Sequence, residues 1–302
     1  MYDYLSAGLF MSEPLTAIQL VDRMMKHIGV PWQSQRADGF ADGIHLGNRD
    51  TVVRGIATTF IPTIDVLKRA MAAGKNTVIC RETPFYSRGE RAPLFFRNGP
   101  QPSKELMDQD SVVRAKRELI ESNQLVIIKL SENWDARRTD GQLRGLAMAL
   151  GWGPYHLSLS RKDAADFYRP GNEYFQLPKS TLGQLVKDIR AKLGAHGIRV
   201  IGDPRSSVTK AALTHGFLLV DDLRRVMKSP GVDVVIGGEP VEWEASEYFE
   251  DLVATKMAKG LILLGHEVSE EPGSAEVAAW LKTFLTDIPV EWIPAGEPVW
   301  TV

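Results

Sequence analysis

The sequence predicts an α/β protein made of two similar α/β lobes with mixed sheets. Three observations carry that prediction. Short apolar runs of strand length alternate with amphipathic segments of helix length along the 302 residues. Two stretches recur in the same order: Gly47-Asn48-Arg49-Asp50-Thr51-Val52 resembles Gly202-Asp203-Pro204-Arg205-Ser206-Ser207-Val208, and the stretch from Gly74 to Pro84 resembles that from Gly231 to Pro240. Hydrophobic residues make up 44% of the chain and charged ones 25%, ordinary proportions for a globular protein of one large or two smaller domains. The lobes are expected at 12–151 and 179–302. The mixed, Pro-bounded stretch 152–178 is the expected linker or hinge.

The first half reads as follows. Ile18, Val21, Met24, Met25 and Ile28 share one face of a helix over Thr16 to Ile28, which Gly29 and Pro31 stop. A polar loop, Gln33 to Gly43, leads to strands at Ile44 to Leu46 and Val52 to Phe60. Thr63 caps a helix whose Val66, Leu67 and Ala70 face inward and which Gly74 closes. Thr77 to Cys80 is a buried strand running into Arg81-Glu82-Thr83-Pro84. Tyr86 to Gln109, rich in Gly, Pro and Arg, is expected as a loop. Ser111 starts a helix, and Leu125 to Leu130 is a strand whose end is Ser131-Glu132-Asn133-Trp134-Asp135. Leu143, Leu146, Ala147 and Leu150 mark a helix closed by Gly151.

The second half repeats this grammar. Thr181 and Gln184 have capping-box spacing ahead of Leu182, Leu185, Val186, Ile189 and Leu193. Ile198 to Ile201 is a strand that ends in Gly202-Asp203-Pro204. The span Val208 to Leu213 is ambiguous, while Leu218 to Val220 and Val234 to Ile236 are strands. Trp243, Phe249, Leu252, Val253 and Met257 suit a helix. Leu261 to Leu264 is a strand ending at Gly265-His266, Ser274 caps a helix, and Val290 to Ile293 is the last strand.

Charge and cysteine content exclude several classes of function. Lys+Arg 36 against Asp+Glu 38 leaves a net charge of -2, which argues against a general binder of nucleic acid or anionic membrane. No apolar run is long enough to span a bilayer. Cys80 is the single cysteine, so no internal disulfide framework or Cys-rich metal site exists. A cytoplasmic location is expected. Met1 to Met11 lacks the marks of a signal peptide, and Met11 is an alternative start.

Four buried runs end in polar groups: Glu82, Asp135, Glu239 and His266, with Glu270 four residues beyond the last. In open α/β sheets, ligands gather outside the carboxyl ends of strands. Carboxylates converging there would raise one another's pKa unless a cation were present. Oxygen ligands with one imidazole suit Zn, Mn, Fe or Mg. Glu239 is the candidate general base, or a carboxylate orienting His266. It could equally be a charge complementing the dipole of the helix that carries Trp243. Arg81, Arg137 and Arg138 flank the site, as anion binders or as surface ion pairs. Cys80 is expected as inert core, and His27, His45, His156, His196 and His215 as surface or loop histidines.

In order and spacing these motifs resemble the NGG-one-interacting-factor-three-like family, whose bacterial members are often labelled GTP cyclohydrolase I type 2 homologues. The resemblance runs from about Leu15 to Ile293. It rests on Gly47-Asn48, Glu82-Thr83-Pro84 where the family has His-His-Pro, Glu132-Asn133-Trp134-Asp135, Gly202-Asp203-Pro204, Gly238-Glu239, and Gly265-His266 with Glu270. It implies a metal centre of one or two divalent ions (Zn, Mn or Fe). Asp135, His266 and Glu270 match its ligands, Glu82 substitutes another ligand type, and Thr83 and Trp243 replace imidazoles. It further implies a metal-dependent, hydrolase-like activity on a small polar substrate, cyclic ones included, through metal-activated water. Homo-oligomeric assembly as a toroidal hexamer is implied as well. The alternative is an oligomeric binding or regulatory scaffold, or a metal carrier, with a degenerate site.

Overall fold

A computed structural model of the chain describes residues 14–33, 41–86, 108–137, 140–157 and 172–301. The stretch Met1 to Met11, most of the loops at Gln33 to Gly43 and Tyr86 to Gln109, and Arg138 lie outside the described residues. The chain is a mixed α/β protein with two main sheets.

The first half builds the first sheet. Helix α1 (Ala17–His27) begins at Thr16, whose side chain and that of Gln19 cap it reciprocally. Strands β1 (Gly43–Leu46), β2 (Ile56–Thr59), β3 (Thr77–Cys80) and β4 (Val126–Lys129) follow, with α2 (Ile64–Ala72) between β2 and β3 and α3 (Ser111–Ser122) between β3 and β4. Their order across the sheet is β1-β4-β3-β2. Strands β2, β3 and β4 are parallel and β1 is an antiparallel edge. The middle strands are buried along their whole length, as parallel strands covered on both faces must be. The strand expected from Val52 shortens to Ile56, because Val52 instead bridges Thr16 at the start of α1. Asp110, one residue ahead of the expected start, caps α3.

The second sheet repeats the first. Strands β7 (Arg199–Ile201), β8 (Ser207–Leu213), β10 (Val234–Gly237) and β12 (Gly260–Leu263) lie in the order β7-β12-β10-β8, again with three parallel strands and one antiparallel edge. Helices α6 (Leu182–Leu193), α7 (Val220–Val226) and α8 (Glu247–Ala254) stand in the places of α1, α2 and α3. Two further strands, β5 (His156–Leu157) and β6 (Glu173–Thr181), extend the sheet beyond β8, and β9 (Phe217–Leu218) pairs with β11 (Glu239–Pro240). The repeat extends to turns. Ala17 and Ile18 donate to Thr51 and Arg49 carbonyls, as Leu182 and Gly183 do to Ser206 and Pro204.

Chain order and spatial order part in three places. Part of the stretch expected as a linker, residues 173–178, is strand in β6. The last strand, β13 (Val290–Trp292), pairs in parallel with β2 and so closes the first sheet, not the second. The final helix begins at His266, not at the expected Ser274, and runs as α9 (His266–Lys282) straight through Pro272. It packs along α5 (Gly141–Ala149) so closely that a Cβ on Gly145 would lie 2.5 Å from the Pro272 carbonyl oxygen. Trp243 and Met257, expected inward on a helix, are exposed; Glu242–Ser246 forms a π-helical turn ahead of α8. Four apolar clusters cover both faces of both sheets, and α9 contributes to one on each sheet.

Candidate metal centre

The carboxyl ends of the parallel strands of both sheets supply the site. Strand β3 delivers Arg81 and Glu82, β4 delivers Asp135, β8 delivers His215, β10 delivers Glu239, and β12 delivers His266 and Glu270. Backbone bonds fix the first of these ends: Arg81 N and Glu82 N donate to the Phe60 carbonyl at 3.1 and 2.9 Å. Asp135 ends α4 (Glu132–Asp135), a single helical turn. Buried Asp42 holds that turn by accepting from Ser131 N and Asn133 N, both at 2.9 Å, and from Lys129 Nζ at 3.0 Å. His266 and Glu270 open α9 four residues apart, which places them on one helix face.

Arg81 sits between two of the expected metal ligands. Its Nη1 and Nη2 donate to the two oxygens of Asp135 at 2.8 and 3.0 Å, and its Nε donates to Glu270 Oε2. Arg81 is 8% exposed and Glu270 1%. Gln142, with its amide turned to suit its neighbours, accepts from Arg81 Nη1 at 3.3 Å and donates to the Glu270 carbonyl at 2.8 Å. A forked guanidinium on a carboxylate is among the stronger and more directional charge-assisted pairs.

His215 lies on the other side of Glu270. It is wholly buried, with Nδ1 2.7 Å from Glu270 Oε1 and Nε2 3.2 Å from Asp140 Oδ2. His215 is a loop residue, as expected, but a buried one and not a surface histidine. Asp140 also caps α5 by accepting from Gln142 N and Leu143 N. The segment carrying His215 is pinned to α9 by Ser269 Oγ, which accepts from Gly216 N and donates to the His266 carbonyl. A Cβ on Gly238 would lie 2.1 Å from the Gly216 carbonyl oxygen, so this approach needs glycine. The signal available in the sequence was weak: one histidine just past a strand of ambiguous pattern.

The mouth of the site is formed by Glu82, His266 and Glu239. His266 Nε2 is 3.3 Å from Glu270 Oε2, and its Nδ1 is 3.2 Å from Glu239 Oε2. Glu239, 55% exposed at its side chain, thus touches His266. Donor atoms of Glu82, His266 and Glu270 lie within 4.8 Å of one another, and so do those of Asp135, Asp140 and His215. Asp135 therefore groups with Asp140 and His215, apart from the other three expected ligands.

The charges of this cluster are matched within the chain. Burial opposes the His266 imidazolium, but Glu270 and then Glu239 outweigh it and hold the group at about 10. Burial likewise opposes the His215 imidazolium, and Asp140 and Glu270 hold it at about 10. Glu270 is pulled well below the carboxylate range, against burial, by Arg81 and His266. Asp140 is lowered, against burial, by His215. Burial raises Asp135 to about 6 in spite of Arg81. The hydrogen bond from His266 lowers Glu239.

Neighbouring residues divide plainly. Cys80 is buried in the core with its thiol pushed by burial up to about 12, the state of an unreactive cysteine. Arg137 stacks over the Trp134 ring, with its guanidinium carbon 4.4 Å from the centroid. A cavity of about 570 Å³ lies away from the cluster, behind α9, against Glu267, Val268, Leu193 and Trp292. No helix among the described residues is long and apolar enough to cross a membrane.

Comparison with known proteins bears on the family and the fold. The profile of the Duf34/NIF3 (NGG1p interacting factor 3) family matches residues 18–296. No curated protein sequence matches the chain. Among solved structures, Staphylococcus aureus protein SA1388 is similar with a TM-score of 0.69 at 15% identity, covering 96% of this chain and 100% of its own. The protein ybgI, of unknown function, gives 0.65 at 19% identity, covering 94% and 100%. A Bacillus cereus protein related to NIF3 gives 0.66 at 14% identity, covering 96% and 100%. At these identities the likeness concerns the fold.

Proposed function

The chain belongs to the Duf34/NIF3 family, and from that premise we propose a metal-dependent, hydrolase-like protein that carries a single divalent cation, Zn, Mn or Fe, on Glu82, His266 and Glu270. The observation behind this reading is the convergence of those three side chains' donor atoms within 4.8 Å at the partly open side of the cluster. Three protein ligands with an open side are the pattern of catalytic rather than structural sites. A second cation does not fit. While Arg81 is in place, its guanidinium holds both Asp135 oxygens and its charge occupies the position beside them.

When bound, the cation would supply Lewis-acid polarisation of a carbonyl or phosphoryl group and activation of water. The chain's own residues do the rest. Glu239 holds His266 Nδ1 and so directs Nε2 toward Glu270. Half-exposed at the mouth, Glu239 is also the carboxylate placed to take a proton from an incoming water. His215 and Arg81 fix Glu270 by one oxygen each. The substrate class is a small polar molecule, cyclic ones included, and the assembly is a homo-oligomer, hexameric in this reading.

Metal content tests the reading. Protein purified without chelator is expected to hold up to one equivalent of a transition metal, and His266→Ala to lose it. Less than roughly a tenth of an equivalent in the parent, with no uptake of added Zn, Mn or Fe, would sink the proposal. A second reading, an oligomeric scaffold with a decayed site, is favoured by one observation: Arg81, His215 and His266 already neutralise the buried carboxylates. It predicts that assembly survives His266→Ala unchanged.

A further inference from the structure

We propose that Arg81 is a tethered cation filling a second, latent divalent-cation position, and that removing its side chain opens a metal site built from Asp135, Asp140 and His215. This deepens the single-cation reading at the same cluster. The geometry is that of a cation position already taken. The guanidinium lies between Asp135 and Glu270, donates to both Asp135 oxygens and to Glu270 Oε2, and is 8% exposed. Behind it, Asp135, Asp140 and His215 present donor atoms within 4.8 Å of one another, the separation that a single ion spans with little adjustment.

The physical argument runs through charge and space. Buried carboxylates this close need a positive partner. A guanidinium supplies one without pH dependence, since it stays protonated at all ordinary pH. A divalent ion beside it would meet its repulsion and would find both Asp135 oxygens occupied. With Arg81 cut back to alanine, three effects act together. The volume of the guanidinium is freed, Asp135 regains its lone pairs, and Glu270 keeps its bond to His215. His215 can then offer a nitrogen once an ion displaces its proton. Gln142, which faces both Arg81 and the Glu270 backbone, remains to border the freed space.

Metal stoichiometry decides. Full-length parent, Arg81→Ala, Arg81→Lys and Arg81→Ala/Asp135→Asn, each stripped with chelator and exchanged into buffer, are titrated with Zn²⁺ by calorimetry and assayed for bound zinc after dialysis. Arg81→Ala is expected to bind one equivalent more than the parent. Arg81→Lys, which keeps a cation in place, is expected to keep the parent's count, and the Asp135→Asn change to abolish the gain. Equal counts in parent and Arg81→Ala, or two tight equivalents in the parent, overturn the proposal. Should Arg81→Ala fail to fold free of metal, Arg81→Gln is held to the same count. A parent that binds none while Arg81→Ala binds one defeats the single-cation reading alone. A parent and variant that both bind one defeat this proposal alone.

Discussion

Without its His215 imidazole the protein would lose the buried group that pairs at once with Asp140 Oδ2 and Glu270 Oε1, each of which faces one nitrogen of that ring. Removing one partner of a buried ion pair costs about 3–5 kcal/mol, and His215→Ala is expected to fall in that range by urea denaturation. The pH dependence follows from the signs. His215 is raised to about 10 when folded, above its ordinary value of about 6.5, so its contribution is complete below about 6.5 and fades as pH rises toward 10. Asp140 and Glu270 are lowered, so theirs is present above the ordinary carboxylate value of about 4 and is lost on acidification. The stability gap between parent and His215→Gln in chelator should therefore be wider at pH 6 than at pH 9. An equal gap at both would refute the charged state of His215. At this scale the sequence showed which polar residues end the buried strands, and the fold gathers them. It did not show His215, because a lone histidine beside Gly216 carries no spacing signal. Nor did it reveal that Arg81 turns inward, since a strand-end arginine more often meets water.

Two glycines carry the internal repeat at the level of elements. Gly47 has φ +90°, and a Cβ there would lie 2.4 Å from the Leu125 carbonyl oxygen. Gly202 has φ +123°, and its Cβ would lie 2.3 Å from the Lys259 carbonyl oxygen. Each ends an edge strand, β1 or β7, against the backbone just ahead of its neighbour, β4 or β12. Gly47→Ala and Gly202→Ala are each expected to cost about 2 kcal/mol or more, combining backbone strain with collision against unyielding backbone. Gly74→Ala, at φ +71° with open space around it, should cost only about 1 kcal/mol in the same denaturation assay. Equal losses at all three positions would mean that the close approach contributes nothing. These turns were legible because backbone geometry is local and leaves glycine in the sequence. The start of α9 was not. Pro272, Gly273 and Ser274 read as a helix boundary, but the helix continues because α5 packs across those small residues. Strand β6 was hidden for a similar reason: Pro178 and its polar neighbours fit a loop, and the strand is set by the pairing of Glu173 to Gln176 and of Ser180 and Thr181 with β8, on either side of an irregularity that holds Pro178.

The whole molecule is tied together by what crosses from one end of the chain to the other. Strand β13 pairs with β2, with Ile56 N donating to the Pro289 carbonyl and Ile293 N to that of Thr58, both at 2.9 Å. Val277, Ala278, Trp280 and Leu281 of α9, with Leu285 and Val290 beyond it, share a core with Leu20, Met24 and Ile128 from the first half. Fully burying side chains of this size is worth about 1.5–3 kcal/mol each, so the missing contacts together approach the net stability of a domain. A fragment of residues 12–151 should therefore fail to fold alone, giving no sharp thermal transition and broad proton resonances. The intact chain should unfold in one transition seen alike by far-ultraviolet circular dichroism and tryptophan fluorescence. Ending the chain at Asp287 is the finer test. That truncation leaves α9 in place but removes β13, uncovering β2 as a sheet edge and taking Val290 and Ile293 from the cores on the two faces of the first sheet. The expected result is a lowered transition midpoint together with aggregation. A midpoint equal to the parent's would show that β13 is an accessory strand and that the lobes divide where chain order puts them.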